Sequence, residues 1–283
     1  RRTEILDLAG GLEDIDLIAN ERSVVLLTET GYLKRMPVSE FEATSRGTRG
    51  KAGTRSQGEE AVKLFIGCND HDTLLLFSDR GVAYALPAYR VPQCSRTAKG
   101  TPVVQLLPIP REEAITSLLA VSEFNDDTDL LMLTQGGFIK RTRLSAFSNI
   151  RSNGLIAIGL EDGDALTWVR LSIPGDSVLI GSKAGMTIHF RLADGELRPL
   201  GRTARGVRSM NLRKGDSLVS MDVLPAELAD QIAASADDAG DGDDAGDVAE
   251  TTVAAEGPWL LVASASGLGK RVPVTQFRLQ KRA

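Results

Sequence analysis

The sequence is poor in the residues from which active sites are most often built. Of 283 residues only two are histidine and two are cysteine. Cys68 and Cys94 are too few for a disulfide framework and have no CxxC spacing, so both are read as reduced structural thiols rather than zinc or redox ligands. His71 and His189 leave a Ser-His-Asp triad or a histidine metal site with few candidates. GxSxG, P-loop and GxGxxG patterns are missing from any strand-to-helix context. The expectation is therefore no catalytic residue, metal, cofactor or small-molecule substrate in this chain. No run of 18 apolar residues occurs, and the opening RRTEILDLAGG lacks the apolar core of a secretion signal. No membrane partner is expected, and the expected compartment is the cytoplasm.

Basic residues are missing from one stretch altogether. Residues 227–256 hold ten acidic side chains and no Lys or Arg, so setting those ten aside turns the formal charge of −5 into +5 for the rest. The chain reads as a basic body with an acidic insert, which changes the partners it suits. The segment ADDAGDGDDAGDVAETT has the composition of a disordered surface loop. A second reading is a polyanion mimic that competes for the basic surface. The one good helix is expected near PAELADQIAASA, just before it.

What is present is a repeat. Five segments read SVVLLTETGYLKRMP, DTLLLFSDRGVAYALP, DLLMLTQGGFIKRTR, DSVLIGSKAGMTIHFR and PWLLVASASGLGKRVP. Their glycines, Gly31, Gly81, Gly137, Gly185 and Gly267, are 50, 56, 48 and 82 residues apart, and the last spacing falls to 52 without the 30-residue acidic stretch. Short apolar runs on either side of a turn glycine predict β-hairpins, the glycine supplying positive φ. A second set of glycines, Gly50, Gly100, Gly154 and Gly206, lies in basic or polar loops (RGTRGKAG, SRTAKGTPV, IRSNGLIA, GRTARGVRS) ahead of further apolar runs AVKLFIG, VVQLLPI, LTWVRLSI and SLVSMDVL.

Each unit of about 50 residues is thus a four-strand candidate, the size of a propeller blade. The expected fold class is all-β, with four complete blades and a truncated fifth. Residues 14–69, 70–124, 125–174 and 175–228 are expected to form blades one to four. Residues 229–256 form the insert, 257–283 a partial fifth blade, and 1–13 a linker or edge strand. A chain that stops at FRLQKRA, where unit five should enter its own loop, is expected to be a fragment of a longer polypeptide.

Cations recur at matched places. Lys34–Arg35, Lys140–Arg141 and Lys270–Arg271 follow the turn glycine, where units two and four have Tyr84–Ala85 and Ile188–His189. Neighbouring strand residues face opposite ways, so at most one of each pair can face a given partner. The loops add Arg46, Arg49, Lys51, Arg96, Lys99, Arg151, Arg202, Arg205 and Arg208. Glycine beside such cations lets the backbone come close to a phosphate. All fifteen are candidate contacts for a polyanion.

With these in place, the sequence resembles the C-terminal domain of the DNA gyrase A subunit and, less closely, that of the topoisomerase IV A subunit. The resemblance rests chiefly on TETGYLKRMPVSEF followed by RGTRGKAG, and runs from about residue 14 to the end outside the insert. It implies a β-pinwheel that binds, bends and wraps double-stranded DNA without sequence specificity in support of negative supercoiling. It also implies partners in the remainder of the A subunit and in the B subunit, with ATP and Mg2+ used elsewhere in the holoenzyme. The gyrase-defining loop QRRGGKG aligns with Thr44, Ser45, Arg46, Gly47, Thr48, Arg49 and Gly50; Arg46, Gly47 and Gly50 match and Arg49 keeps the charge, while Thr44, Ser45 and Thr48 differ. A topoisomerase IV-type domain that binds DNA without full wrapping stays open as an alternative, as does a propeller that binds protein. The family cleaves DNA with a tyrosine of another domain. Tyr32, Tyr84 and Tyr89 lie in or beside repeat strands, so no cleavage is expected from this chain alone.

Overall fold

The apolar runs form antiparallel hairpins because their alternating side chains can be buried only when a second strand completes the backbone hydrogen bonds. The computed structural model describes residues 14–41, 61–237 and 258–282. The first repeats supply β1 (Arg22–Thr28), β2 (Tyr32–Pro37), β3 (Val62–Asn69), β4 (Thr73–Ser78), β5 (Val82–Pro87), β6 (Thr101–Pro102) and β7 (Ile115–Val121). Then follow β8 (Asp129–Thr134), β9 (Phe138–Arg143), β10 (Leu155–Ile156), β11 (Leu166–Ser172), β12 (Ser177–Ser182), β13 (Thr187–Arg191), β14 (Val207–Arg208) and β15 (Leu218–Leu224). The last hairpin is β16 (Trp259–Ala263) with β17 (Gly269–Pro273). Helices are confined to α1 (Val103–Leu106), α2 (Asp194–Leu197) and α3 (Ala226–Asp237) among the described residues, apart from single 3-10 turns. The fold is all-β; α3 is the helix expected at PAELADQIAASA and takes in residues 229–237 of the stretch assigned to the insert, while residues 238–257 lie outside the described residues.

The chain divides into two units, residues 1–124 with 149–156, and residues 125–148 with 157–283. The first holds two four-stranded sheets, ordered β3-β1-β2-β6 and β10-β5-β4-β7. Its core joins Val25, Leu27 and Leu33 of one sheet to Leu74, Leu76, Tyr84 and Leu86 of the other. The second holds the sheet β11-β8-β9-β14, the three-stranded sheet β13-β12-β15, and the β16-β17 pair. There Leu131, Leu133 and Ile139 meet Val178, Ile180, Ile188 and Phe190.

These orders show that a blade is not a contiguous stretch. Each of the first three hairpins takes its third strand from its own repeat, but its fourth is a two-residue strand from the loop of the next repeat. Tyr32 and Leu33 pair with Pro102 and Thr101, Val82 and Ala83 with Ile156 and Leu155, and Phe138 and Ile139 with Arg208 and Val207. One apolar run departs from expectation: VVQLLPI forms α1 and a loop, and β7 is the outer strand instead. Pro102, Pro108 and Pro110 remove the amide donors that a strand there would need.

Every turn repeats one device. Gly31, Gly81, Gly137, Gly185 and Gly267 have positive φ. Three residues earlier a hydroxyl accepts the N–H of the residue after the glycine: Thr28 from Tyr32 (3.0 Å), Ser78 from Val82 (3.3 Å), Thr134 from Phe138 (3.1 Å), Ser182 from Met186 (3.3 Å) and Ser264 from Leu268 (3.2 Å). The turn is therefore Ser/Thr-x-x-Gly, and the hydroxyl satisfies an amide that the tight reversal would leave bare.

The loop of the third repeat lies against the second hairpin. A Cβ on Gly154 (φ +83°) would stand 2.7 Å from Val82 Cγ1 and 2.8 Å from Tyr84 Cε1, whereas Gly163 (φ +81°) has open space around it. Gly163→Ala should cost only the left-handed backbone penalty of about 1–2 kcal/mol. Gly154→Ala should cost a further ~1–3 kcal/mol for overpacking. Urea midpoints of the two variants measure the difference, and equal losses would show that the loop does not press on the hairpin.

Candidate nucleic-acid interface

The hairpins put their cation pairs in one register. Lys34 and Arg35 stand opposite Leu26 and Val25, Lys140 and Arg141 opposite Met132 and Leu131, and Lys270 and Arg271 opposite Val262 and Leu261. Tyr84–Ala85 and Ile188–His189 take the same places. The structure places Lys34, Arg35, Lys140 and Arg141 in the interior, not on the surface expected of them: the two lysines are fully buried and the arginines 8% and 3% exposed. Water is excluded there, so each charge must find protein acceptors.

The lysine of each buried pair reaches the glycine loop of the next repeat. Lys34 Nζ donates to the carbonyls of Arg96 (2.8 Å) and Ala98 (2.9 Å). Lys140 Nζ donates to the carbonyls of Gly201, Arg202 and Ala157. The loops are alike in sequence, SRTAKG at 95–100 and GRTARG at 201–206, and both alternate exposed with half-buried residues throughout. Each ends on a glycine that only hydrogen can fill: a Cβ on Gly100 would lie 2.7 Å from Leu33 O, and one on Gly206 2.5 Å from Ile139 O.

The second residue reaches the other way, to the end of the next hairpin. Arg35 donates to Val91 O (3.2 Å) and pairs with Asp70 (2.6 Å). Arg141 donates to Leu192 O, pairs with Asp194 and lies 3.1 Å from Asp129. Burial raises the Asp129 carboxyl above its ordinary range, and Arg141 and Arg143 beside it pull it back. His189 performs the same task uncharged: burial lowers its pKa, Nδ1–H donates to Phe277 O (2.8 Å), and Nε2 accepts from Ser177 Oγ (2.8 Å).

The surface is left to the loop cations. Lys99 is exposed above the Tyr32 ring (4.3 Å), while Arg205 and Arg208 are exposed and flank Phe138 at 4.7 and 5.3 Å. Tyr32 and Phe138 each follow a turn glycine, so the aromatic of one hairpin carries the cation of the next repeat's loop. Arg205 is also paired with Glu161. Arg151 is exposed; Arg96 and Arg202 are half-buried, and Arg202 donates to Ala146 O (3.3 Å). Lys270 and Arg271 are exposed, with Arg271 over Trp259 at 4.8 Å. Arg46, Arg49, Gly50 and Lys51 lie outside the described residues.

Sequence reasoning missed the rings of Tyr32 and Phe138 beneath the loop cations, and the turn hydroxyls. Their signal was an aromatic after the glycine in GYLKR and GFIKR, and Ser/Thr three places before it. Among the described residues no group of three or more His, Cys, Asp and Glu could hold a metal, and no helix is long and apolar enough to cross a membrane.

A protein family described as "DNA gyrase C-terminal domain, beta-propeller" matches residues 22–63, 72–122, 128–172, 176–225 and 258–283, passing over the helix and acidic stretch between the last two segments. The DNA gyrase A subunit of Synechocystis sp. is 55% identical over 285 residues, covering 100% of this chain and 33% of its own length. The chloroplastic/mitochondrial DNA gyrase A subunit of Arabidopsis thaliana is 43% identical over 95% of this chain and 27% of its own length. The chain thus spans about a third of the length of these relatives. A solved DNA gyrase A C-terminal domain superposes with a TM-score of 0.67 at 26% identity, covering 93% of this chain and 75% of the other. The C-terminal domain of a DNA topoisomerase IV shares the fold, with a TM-score of 0.67 at 22% identity over 94% of this chain and 72% of the other.

Burial pushes the Lys140 ammonium from an ordinary 10.5 down to about 7, although its carbonyl partners favour the charge. Between those values the unfolded chain holds more protons than the folded one, so stability should rise with pH there. Cys68, raised to about 11 by burial and by Asp72 and Asp70, acts oppositely: its stabilisation is complete below an ordinary 9.0 and is lost as pH climbs through 11. The urea midpoint should therefore climb between pH 7 and 9, and Lys140→Met should flatten that climb. An equal climb in the variant would assign it to another group.

Proposed function

We propose, since this chain belongs to the DNA gyrase C-terminal domain family, that it binds duplex DNA through its exposed loop cations and bends and wraps it. The observation that carries this reading is the repeated arrangement at 95–100 and 201–206, where a glycine loop presents a cation held over an aromatic ring. Such groups meet phosphates, position the duplex and read no bases. Binding is consequently sequence-tolerant and steeply dependent on salt. Bending a 20–30 base-pair site by 40–90° costs on the order of 1–6 kcal/mol, which several distributed phosphate contacts can offset.

The domain serves as the DNA-wrapping part of a type IIA topoisomerase, with the remainder of the A subunit and the B subunit as partners. Cleavage and the use of ATP and Mg2+ belong to those other parts, and wrapping supports negative supercoiling by the whole enzyme. A second reading is a topoisomerase IV-type domain that binds without full wrapping, favoured by the departures at Thr44, Ser45 and Thr48 from QRRGGKG.

Two measurements test the proposal. Replacing Lys99, Arg205 and Arg208 together with Ala should weaken binding and flatten the plot of log K against log salt by about 0.9 for each phosphate no longer neutralised. An unchanged slope would remove these residues from the interface. Sealing nicked circular DNA with ligase in the presence of the chain should then shift linking number with dose. Binding without a shift would favour the second reading, and no binding at low salt would favour a protein-interaction module.

A further inference from the structure

We infer that Lys34 and Lys140, which cannot reach DNA, are positioning residues for it: from inside the protein they fix the shape of loops 95–100 and 201–206 and so set the affinity of the cations those loops display. This rests on the DNA-binding reading above, and it adds to that reading a control point beneath the surface.

Three observations support it. Two lysines at one register, in separate compact units, grip carbonyls of the same loop type. Carbonyls drawn inward leave Lys99 and Arg205 exposed over Tyr32 and Phe138, so the loop's polarity is sorted by the ammonium beneath it. The loop sequence also follows the clamp. Where the hairpin has Tyr84 in place of lysine, the loop that covers it reads NIRSNG, with one cation instead of two. A lysine is a costly way to fill a core position, since its charge must be desolvated. Tyr84 shows that the fold accepts another solution where the loop is less basic.

The test uses the chain as it stands. Without DNA, Lys34→Met should speed hydrogen exchange of amides 95–100, and Lys140→Met that of 201–206, each leaving the other loop at its wild-type rate. Each variant should then bind a 40 base-pair duplex about five- to tenfold more weakly, as loop cations lose register with the phosphates. Gly100→Ala and Gly206→Ala keep every charge and both lysines yet force the loop off its strand, so they should produce the same paired effects and stand in if a lysine variant fails to fold. Leu74→Val, a core change that alters no loop residue and neither lysine, should lower stability and leave affinity as in wild type, which separates positioning from general destabilisation. Faster loop exchange with unchanged affinity would overturn the inference, as would weaker affinity with unchanged exchange. If the wild type itself shows no salt-dependent binding, the DNA reading fails, and the inference fails with it even where exchange shows the clamp.

Discussion

A charge carried away from water must be met by acceptors, and in this fold most of them come from the next repeat. Lys34 and Lys140 are fully buried, and their ammonium groups are met by backbone carbonyls of loops that follow the neighbouring hairpin. Arg35, Arg141 and His189 extend the same dependence on the opposite face, each bonding the carbonyl at the exit of that neighbouring hairpin. Without these acceptors the buried cations would be among the most destabilising groups a core can hold. With them, the pair after the turn glycine becomes a two-sided tie between successive repeats.

Lys270 offers a comparison. It has the register of Lys34 and Lys140, yet it is exposed. Among the described residues the β16-β17 pair has no third or fourth strand and no glycine loop lying over it. Register alone therefore does not bury the lysine. The same comparison explains the division of labour among cations. Lys34, Arg35, Lys140 and Arg141 on the hairpins organise the protein, and Lys99, Arg205 and Arg208 from the following repeats face outward.

The hairpins could be read from the sequence because their determinants are local: a glycine able to adopt positive φ and short apolar runs on either side. The helix at Ala226–Asp237 was legible for the same reason. The fate of Lys34 was not, because its partners are backbone carbonyls 62 and 64 residues away, and a carbonyl carries no residue identity for a pattern to reveal. The borrowed fourth strand was hidden likewise, since Thr101–Pro102 is two residues long and has no periodicity. Lys99 and Arg205 were recognised as surface cations from composition, but not the rings beneath them, which belong to the preceding hairpin.

The borrowed strand also sets the order in which the molecule can be finished. As the chain is made from its N-terminus, β1 and β2 can pair at once, but the edge beside β2 stays open until Thr101 and Pro102 emerge, after the second hairpin is complete. The second and third hairpins wait in the same way for Leu155–Ile156 and Val207–Arg208. A stalled or truncated product therefore ends with its newest blade incomplete, presenting an unpaired strand edge of the kind that recruits other chains.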